Sequence, residues 1–187
     1  MARGVLPARH RLARRGARAE LTTDALAQSP IRAAEPGEAP ALSALCLRAK
    51  AHWGYDQAFL ERCRPALTVD PAAIRAGDLF VATDREDRPI GLHQIGGTDG
   101  EETIELVLLY VEPAWIGHGV GRALFRHAAA LARDRGGKTL SILADPHAAP
   151  FYQAQGATYR NDAPSDAIPG RILPVYVLPL QPSGGRP

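Results

Sequence analysis

Apolar residues recur along this chain with two periods, and the changes from one to the other mark out its elements. A short strand is predicted at 31–34, followed by a turn. "APALSALCLRAKAHW" sets Leu42, Leu45, Leu47 and Ala49 among helix formers and predicts a first helix. "DQAFLERCRPAL" predicts a second, with Asp56 as N-cap and Pro65 as its stop. Strands follow at 78–83 and 89–95 around a charged turn, and "TIELVLLYVEP" predicts a long β-branched strand closed by Pro113. In "VGRALFRHAAALARDRGG", Val120, Leu124, Ala128 and Leu131 share a helical face, which Gly136 and Gly137 terminate. "KTLSILADP" predicts a strand and "HAAPFYQAQGA" a short helix. "RILPVYVLPL" predicts a last strand, whose two prolines point to a sheet edge. No segment repeats. Strand, two helices, three antiparallel strands, then helix, strand, helix, strand describes an α/β chain in layers, with a mixed sheet flanked by helices.

Composition narrows the setting. The chain has 187 residues and a net charge of +2, which suits one domain and disfavours a general polyanion binder. No apolar run approaches the roughly 20 residues that span a membrane. The charge is unevenly placed: Arg3, Arg9, Arg11, Arg14, Arg15 and Arg18 precede the first acid, Glu20. Residues 1–29 are therefore expected to form a disordered arm, 30–181 the folded domain and 182–187 a flexible tail. The arm lacks the continuous apolar stretch of a secretory signal, and nucleic acid is not its expected partner. Cys46 and Cys63 have neither CxxC spacing nor a nearby His cluster, so buried free thiols in a reducing cytoplasm and no metal site are expected.

"VEPAWIGHGVGRALF" joins the long strand to the best helix through three alternating glycines. Glycine admits a ligand close to backbone N–H groups, and a helix N-terminus adds unpaired donors and partial positive charge, so a phosphate is expected there. A P-loop needs Lys-Ser/Thr after its last glycine, where this chain has Arg122-Ala123. A dinucleotide fingerprint needs GxGxxG in a βαβ unit, where this chain has GxGxG after a meander.

"LVLLYVEPAWIGHGVGRALF" resembles the acyl-CoA-binding motif of the GNAT superfamily of N-acyltransferases, Gln/Arg-x-x-Gly-x-Gly/Ala after a strand ending in Val-x-Pro. "DPHAAPFYQAQGA" resembles the family's second segment, Asn-x-x-Ala-x-x-Phe/Leu-Tyr-x-x-x-Gly-Phe, with Ala148, Tyr152 and Gly156 in register. The resemblance covers 31–180 and departs at two positions: Ile116 replaces the usual Gln or Arg, and Asp145 the usual Asn. It implies a mixed, mostly antiparallel sheet of about six to seven strands with one splayed strand pair that binds coenzyme A. It also implies a cytoplasmic enzyme that moves an acetyl group from acetyl-CoA, without a metal, to a primary amine of a small molecule. A protein or peptide acceptor, or a non-catalytic acyl-CoA sensor, is the alternative. Pairing through the later strands would make a homodimer.

The same resemblance implies the site. Tyr152 would be the acid that protonates the leaving thiolate, the alternative being a core tyrosine beside Phe151. Glu105 would be the base, with Glu112 and His93 as other candidates. The Leu109 N–H, where the strand bulges and splays, would meet the carbonyl oxygen, and Val111 would pair with pantetheine. Backbone amides of Gly117, His118, Gly119, Gly121 and Arg122 would hold the pyrophosphate, with Asp145 accepting a bond from the pantetheine arm. Trp53 and Tyr55 in "HWGYD" either wall an amine pocket or staple two helices together. Arg171 would suit an acidic acceptor and a pocket carboxylate a cationic one, and the sequence leaves both open.

Overall fold

The computed structural model describes residues 29–97 and 100–180; the predicted arm up to residue 28 and the tail lie outside them. Seven strands form one sheet in the order β1-β2-β3-β4-β5-β7-β6. They are β1 (Ile31–Ala33), β2 (Leu79–Thr83), β3 (Pro89–Gly96), β4 (Thr103–Val111), β5 (Thr139–Leu143), β6 (Thr158–Pro164) and β7 (Ile172–Pro179). Every neighbouring pair is antiparallel except β4–β5.

The helices are α1 (Ala39–Ala51), α2 (Gln57–Cys63), α3 (Pro71–Arg75), α4 (Val120–Asp134) and α5 (Ala149–Ala154). α1 buries Leu42, Leu45 and Cys46 against Val81, Leu92 and Leu108 on one face of the sheet. α4 covers the other face, burying Val120, Leu124, Phe125 and Ala128 over Ala82, Ile95 and Ile104. Each large side chain so buried contributes roughly 1.5–3 kcal/mol. Asp56 caps α2 as predicted, accepting from the Phe59 N–H at 2.7 Å.

Three elements differ from expectation. β7 is internal, and the edge belongs to β6, a strand whose exposed, polar "TYRNDAP" carries no apolar alternation. The two prolines of β7 are tolerated because each lies where only one flank is laddered. Pro174 pairs with Asp162 of β6 beyond the end of the β5 ladder, and Pro179 with Thr139 of β5 beyond the end of the β6 ladder. α3 is an additional turn of helix, started by Pro71 and capped by Asp70, whose side chain accepts from the Ala72 N–H at 2.7 Å. Among the described residues no helix is long and apolar enough to cross a membrane.

Candidate active site

β4 and β5 pair only from Thr103–Thr139 to Glu105–Ser141. Beyond that β4 follows β3 and β5 follows β7, so the sheet opens into a wedge. A bulge at the start of the wedge divides β4. Leu106 faces Ile95 and Leu108 faces Gln94, which leaves Val107 unopposed. Below the bulge Ile104 and Leu106 point to the α4 side; above it Leu108 and Tyr110 pack on the α1 side, and Leu109 and Val111 take over the α4 side. The backbone alternates too. The Glu112 N–H donates to the Ile90 carbonyl at 2.9 Å, which turns the Tyr110 amide to β3 and those of Leu109 and Val111 into the wedge.

The wedge holds a cavity of about 520 Å³ walled by Leu109, Val111, the glycine turn and Tyr152. Gly117 and Gly119 have φ of 84° and 86°, a left-handed conformation that L side chains rarely adopt. Gly119 is the N-cap of α4 and offers no side chain, so the first N–H groups of the helix face the cavity without a cap. Gly121 differs from these two: a Cβ there would meet the Phe151 ring at 3.5 Å, an ordinary van der Waals contact, so the space inside the protein does not demand glycine. The His118 N–H already donates to the Trp115 carbonyl at 3.4 Å, which makes it less available to a ligand.

Tyr152 is 7% exposed, packed between the rings of Phe125 and Phe151. Burial, and then the charge of Asp145, pushes its hydroxyl far above the ordinary tyrosine value, so it holds its proton at neutral pH. Tyr110 is pushed up by the same desolvation.

A second cavity, also about 520 Å³, lies beyond the wedge and is walled by Glu105, Ser141, Leu67, Ala167 and Arg171. The two cavities share Lys50, Leu106, Val107, Tyr110, Leu143 and Asp145. A polar cluster fills this shared wall. Asp145 forms an ion pair with Lys50, accepts from the Tyr55 hydroxyl at 2.9 Å and from the His147 N–H at 3.0 Å, and lies 3.4 Å from the Arg171 guanidinium. Arg171 also donates to the Tyr55 hydroxyl at 2.9 Å. Desolvation opposes ionisation of Asp145, but the bonds from Lys50, His147 and Tyr55 outweigh it and hold its carboxyl below the ordinary value.

Residues 75–156 match the family model of the acetyltransferase (GNAT) domain. The chain carries a GNAT domain. Solved structures agree on the fold. A GCN5-related N-acetyltransferase from Rhodopseudomonas palustris is 24% identical over 81% of this chain and 96% of its own, with a TM-score of 0.67. PaiA N-acetyltransferase from Thermoplasma acidophilum, solved in complex with coenzyme A, is 14% identical over 80% of this chain and 98% of its own, with a TM-score of 0.65. YjaB from Escherichia coli is 22% identical over 82% and 98%, with a TM-score of 0.58. No curated protein sequence matches the chain.

The GNAT domain brings most of the predicted residues together. Tyr152, Leu109, Val111 and the glycine turn with Arg122 line the first cavity, and Glu105 lines the second. The strand's bulge falls at Val107, two residues before Leu109, where the expectation had put it. Asp145 is placed in the wall, but its oxygens already serve Lys50, Tyr55 and His147, so its first task is to hold that cluster. Trp53 stacks on His147 with 5.4 Å between centroids and lines the first cavity, while Tyr55 stacks on Phe59 at 4.2 Å. His93 is not part of the site. It is fully buried under α4, its Nε2 lies 2.8 Å from His127 Nδ1, and burial, followed by the neighbouring His127, lowers it to about 3. Glu112 pairs with Arg48 of α1 and braces the loop. Both cysteines are free and buried, and burial pushes the Cys46 thiol up to about 12. Among the described residues no group of three or more His, Cys, Asp or Glu is placed to hold a metal ion. Lys50 and Tyr110 were missed. Lys50 carried a signal: it follows Leu42 and Cys46 at four-residue steps, a lysine on the buried face of α1.

Proposed function

We propose that this chain transfers an acetyl group from acetyl-CoA directly to the primary amine of a small molecule while both substrates are bound. What carries the reading is the pair of cavities that meet at the opening of the sheet, one with a proton donor, Tyr152, and the other with a carboxylate, Glu105. The uncapped start of α4 and the positive-φ glycines fit a pyrophosphate, because they present backbone donors with no side chain in the way. Acetyl-CoA supplies the acyl thioester. Glu105 takes one proton from the bound ammonium, which frees the lone pair of the amine that attacks, and the Leu109 N–H meets the negative charge that grows on the carbonyl oxygen. As the carbon–nitrogen bond forms and the carbon–sulfur bond breaks, Tyr152 gives its proton to the departing sulfur and recovers one from the second proton that the acylated nitrogen releases.

Calorimetric titration with acetyl-CoA, followed by free-thiol release over a panel of amines, tests this. Binding with release, and initial-velocity lines that intersect when both substrates are varied, is the expected outcome. Parallel lines would show an acyl-enzyme and remove direct transfer, and failure to bind acetyl-CoA would remove the reading altogether.

A further inference from the structure

We propose that the acceptor amine also carries a carboxylate, which Arg171 and Lys50 receive while Glu105 faces the amine. This rests on the acetyl-transfer reading and names its second substrate by class.

The sequence left the sign of the acceptor open, and the wall between the cavities decides it. Two cations, Lys50 and Arg171, face one carboxylate, Asp145, and the fourth member of the cluster, Tyr55, is neutral because burial and Asp145 raise its hydroxyl. The lysine and arginine side chains are only 9% and 20% exposed, so water screens this surplus poorly. Donors are left over as well. Arg171 uses one nitrogen, Nη2, for both Tyr55 and Asp145, while its Nε and Nη1 make no hydrogen bond to a described residue. Lys50 has a single such partner in Asp145.

The guanidinium is also held in place. Its carbon lies 4.9 Å from the centre of the Phe59 ring and 5.4 Å from that of Tyr55. A planar fork fixed by stacking loses little freedom when a carboxylate docks on it. Arg171 lines the second cavity only, on a wall shared with apolar Leu67, Ala167 and Leu173. The other acids of that cavity, Glu105 and Asp166, are both exposed. The lining thus offers an amine bearing a carboxylate two largely buried cations for its acid group and exposed carboxylates for its amine. A polyamine has no group for these two cations.

The test is thiol release with acetyl-CoA and a panel of α-, β- and γ-amino acids, each set against its primary amide and its decarboxylated amine, with spermidine alongside. The amide keeps shape and amine but loses the charge, and its less basic amine favours reaction, so a preference for the acid is the harder result to obtain. At least one acid is expected to exceed its amide by about 10-fold or more in kcat/KM. Arg171→Gln should abolish that preference, with a loss of about 10- to 100-fold on the acid. Arg171→Lys should restore part of it. Acetyl-CoA affinity, unchanged in both variants, reports that they fold. Equal or better turnover of amides or spermidine, an Arg171→Gln loss shared equally by acid and amide, or acetyl-CoA binding with no release on any acid would each overturn the carboxylate assignment. Absence of acetyl-CoA binding would instead overturn the reading beneath it.

Discussion

Replacing Asp145 by Asn restores the residue usual at this point of the GNAT motif, yet in this chain it should destabilise the fold. The carboxylate is the counter-charge for Lys50 and Arg171, and the side chains involved are 9%, 15% and 20% exposed for Lys50, Asp145 and Arg171. Removing one partner of a buried ion pair costs about 3–5 kcal/mol, because the other charge stays desolvated and uncompensated. The carboxamide oxygen still accepts one bond and the cluster is not wholly dry, so the lower end applies, about 3 kcal/mol. For a chain of this size that corresponds to a fall in Tm of roughly 6–12 °C. Urea unfolding followed by circular dichroism measures it. Acid gives an internal check. The folded carboxyl lies below its unfolded value of about 3.9, so its contribution is complete above that value and is lost as pH falls through the lower, folded one. The gap between wild type and Asp145→Asn should therefore close in acid. A loss below about 1 kcal/mol, or a gap that does not change with pH, would refute the idea that the charge of Asp145 holds the cluster.

Tyr152→Phe and Glu105→Gln should each slow thiol release by about 10²- to 10⁴-fold. Neither should move acetyl-CoA affinity measured by calorimetry, and a matching loss of affinity would make the residue a packing or binding element instead. Gly91→Ala should destabilise by about 1–3 kcal/mol in denaturant titration, because its Cβ would meet Leu124 Cδ1 at 2.9 Å and the Tyr110 carbonyl at 3.0 Å. His93 should keep a neutral ring in NMR titration down to about pH 4, since burial lowers it to about 3. Its folded value lies below its unfolded one, so the stability it contributes is complete above about pH 6.5 and is lost as pH falls towards 3.

The elements with strong periodicity were legible from the sequence: α1, α4, the central strands and the glycine turn all follow from apolar spacing and glycine placement. β6 was not, because an exposed edge strand has no face to bury and its residues read as a loop. Proline in β7 was misread because a proline reports on one flank of a strand at one position, whereas ladders on the two flanks end at different residues. The site divided in the same way. Residues fixed by a local motif, such as Tyr152 and Gly119, could be placed by register alone. The Lys50–Asp145 pair joins residues 95 positions apart, and its existence depends on how α1 lies over the end of β5. The bulge at Val107 has no local signature either, since a run of β-formers is compatible with any register.

That bulge makes β4 two half-strands out of phase. A straight strand would carry Tyr110 to the side of the sheet that Ile104 occupies and would turn the Leu109 amide back towards β3. Deleting Val107 would give a more regular ladder and exchange the contents of two cores at once, which the leucines anchored on each face oppose. The length of β4 between Glu105 and Val111 is accordingly a fixed dimension of the molecule: an insertion or deletion of one residue there changes which groups look into which chamber, and two such changes are needed to restore the phase.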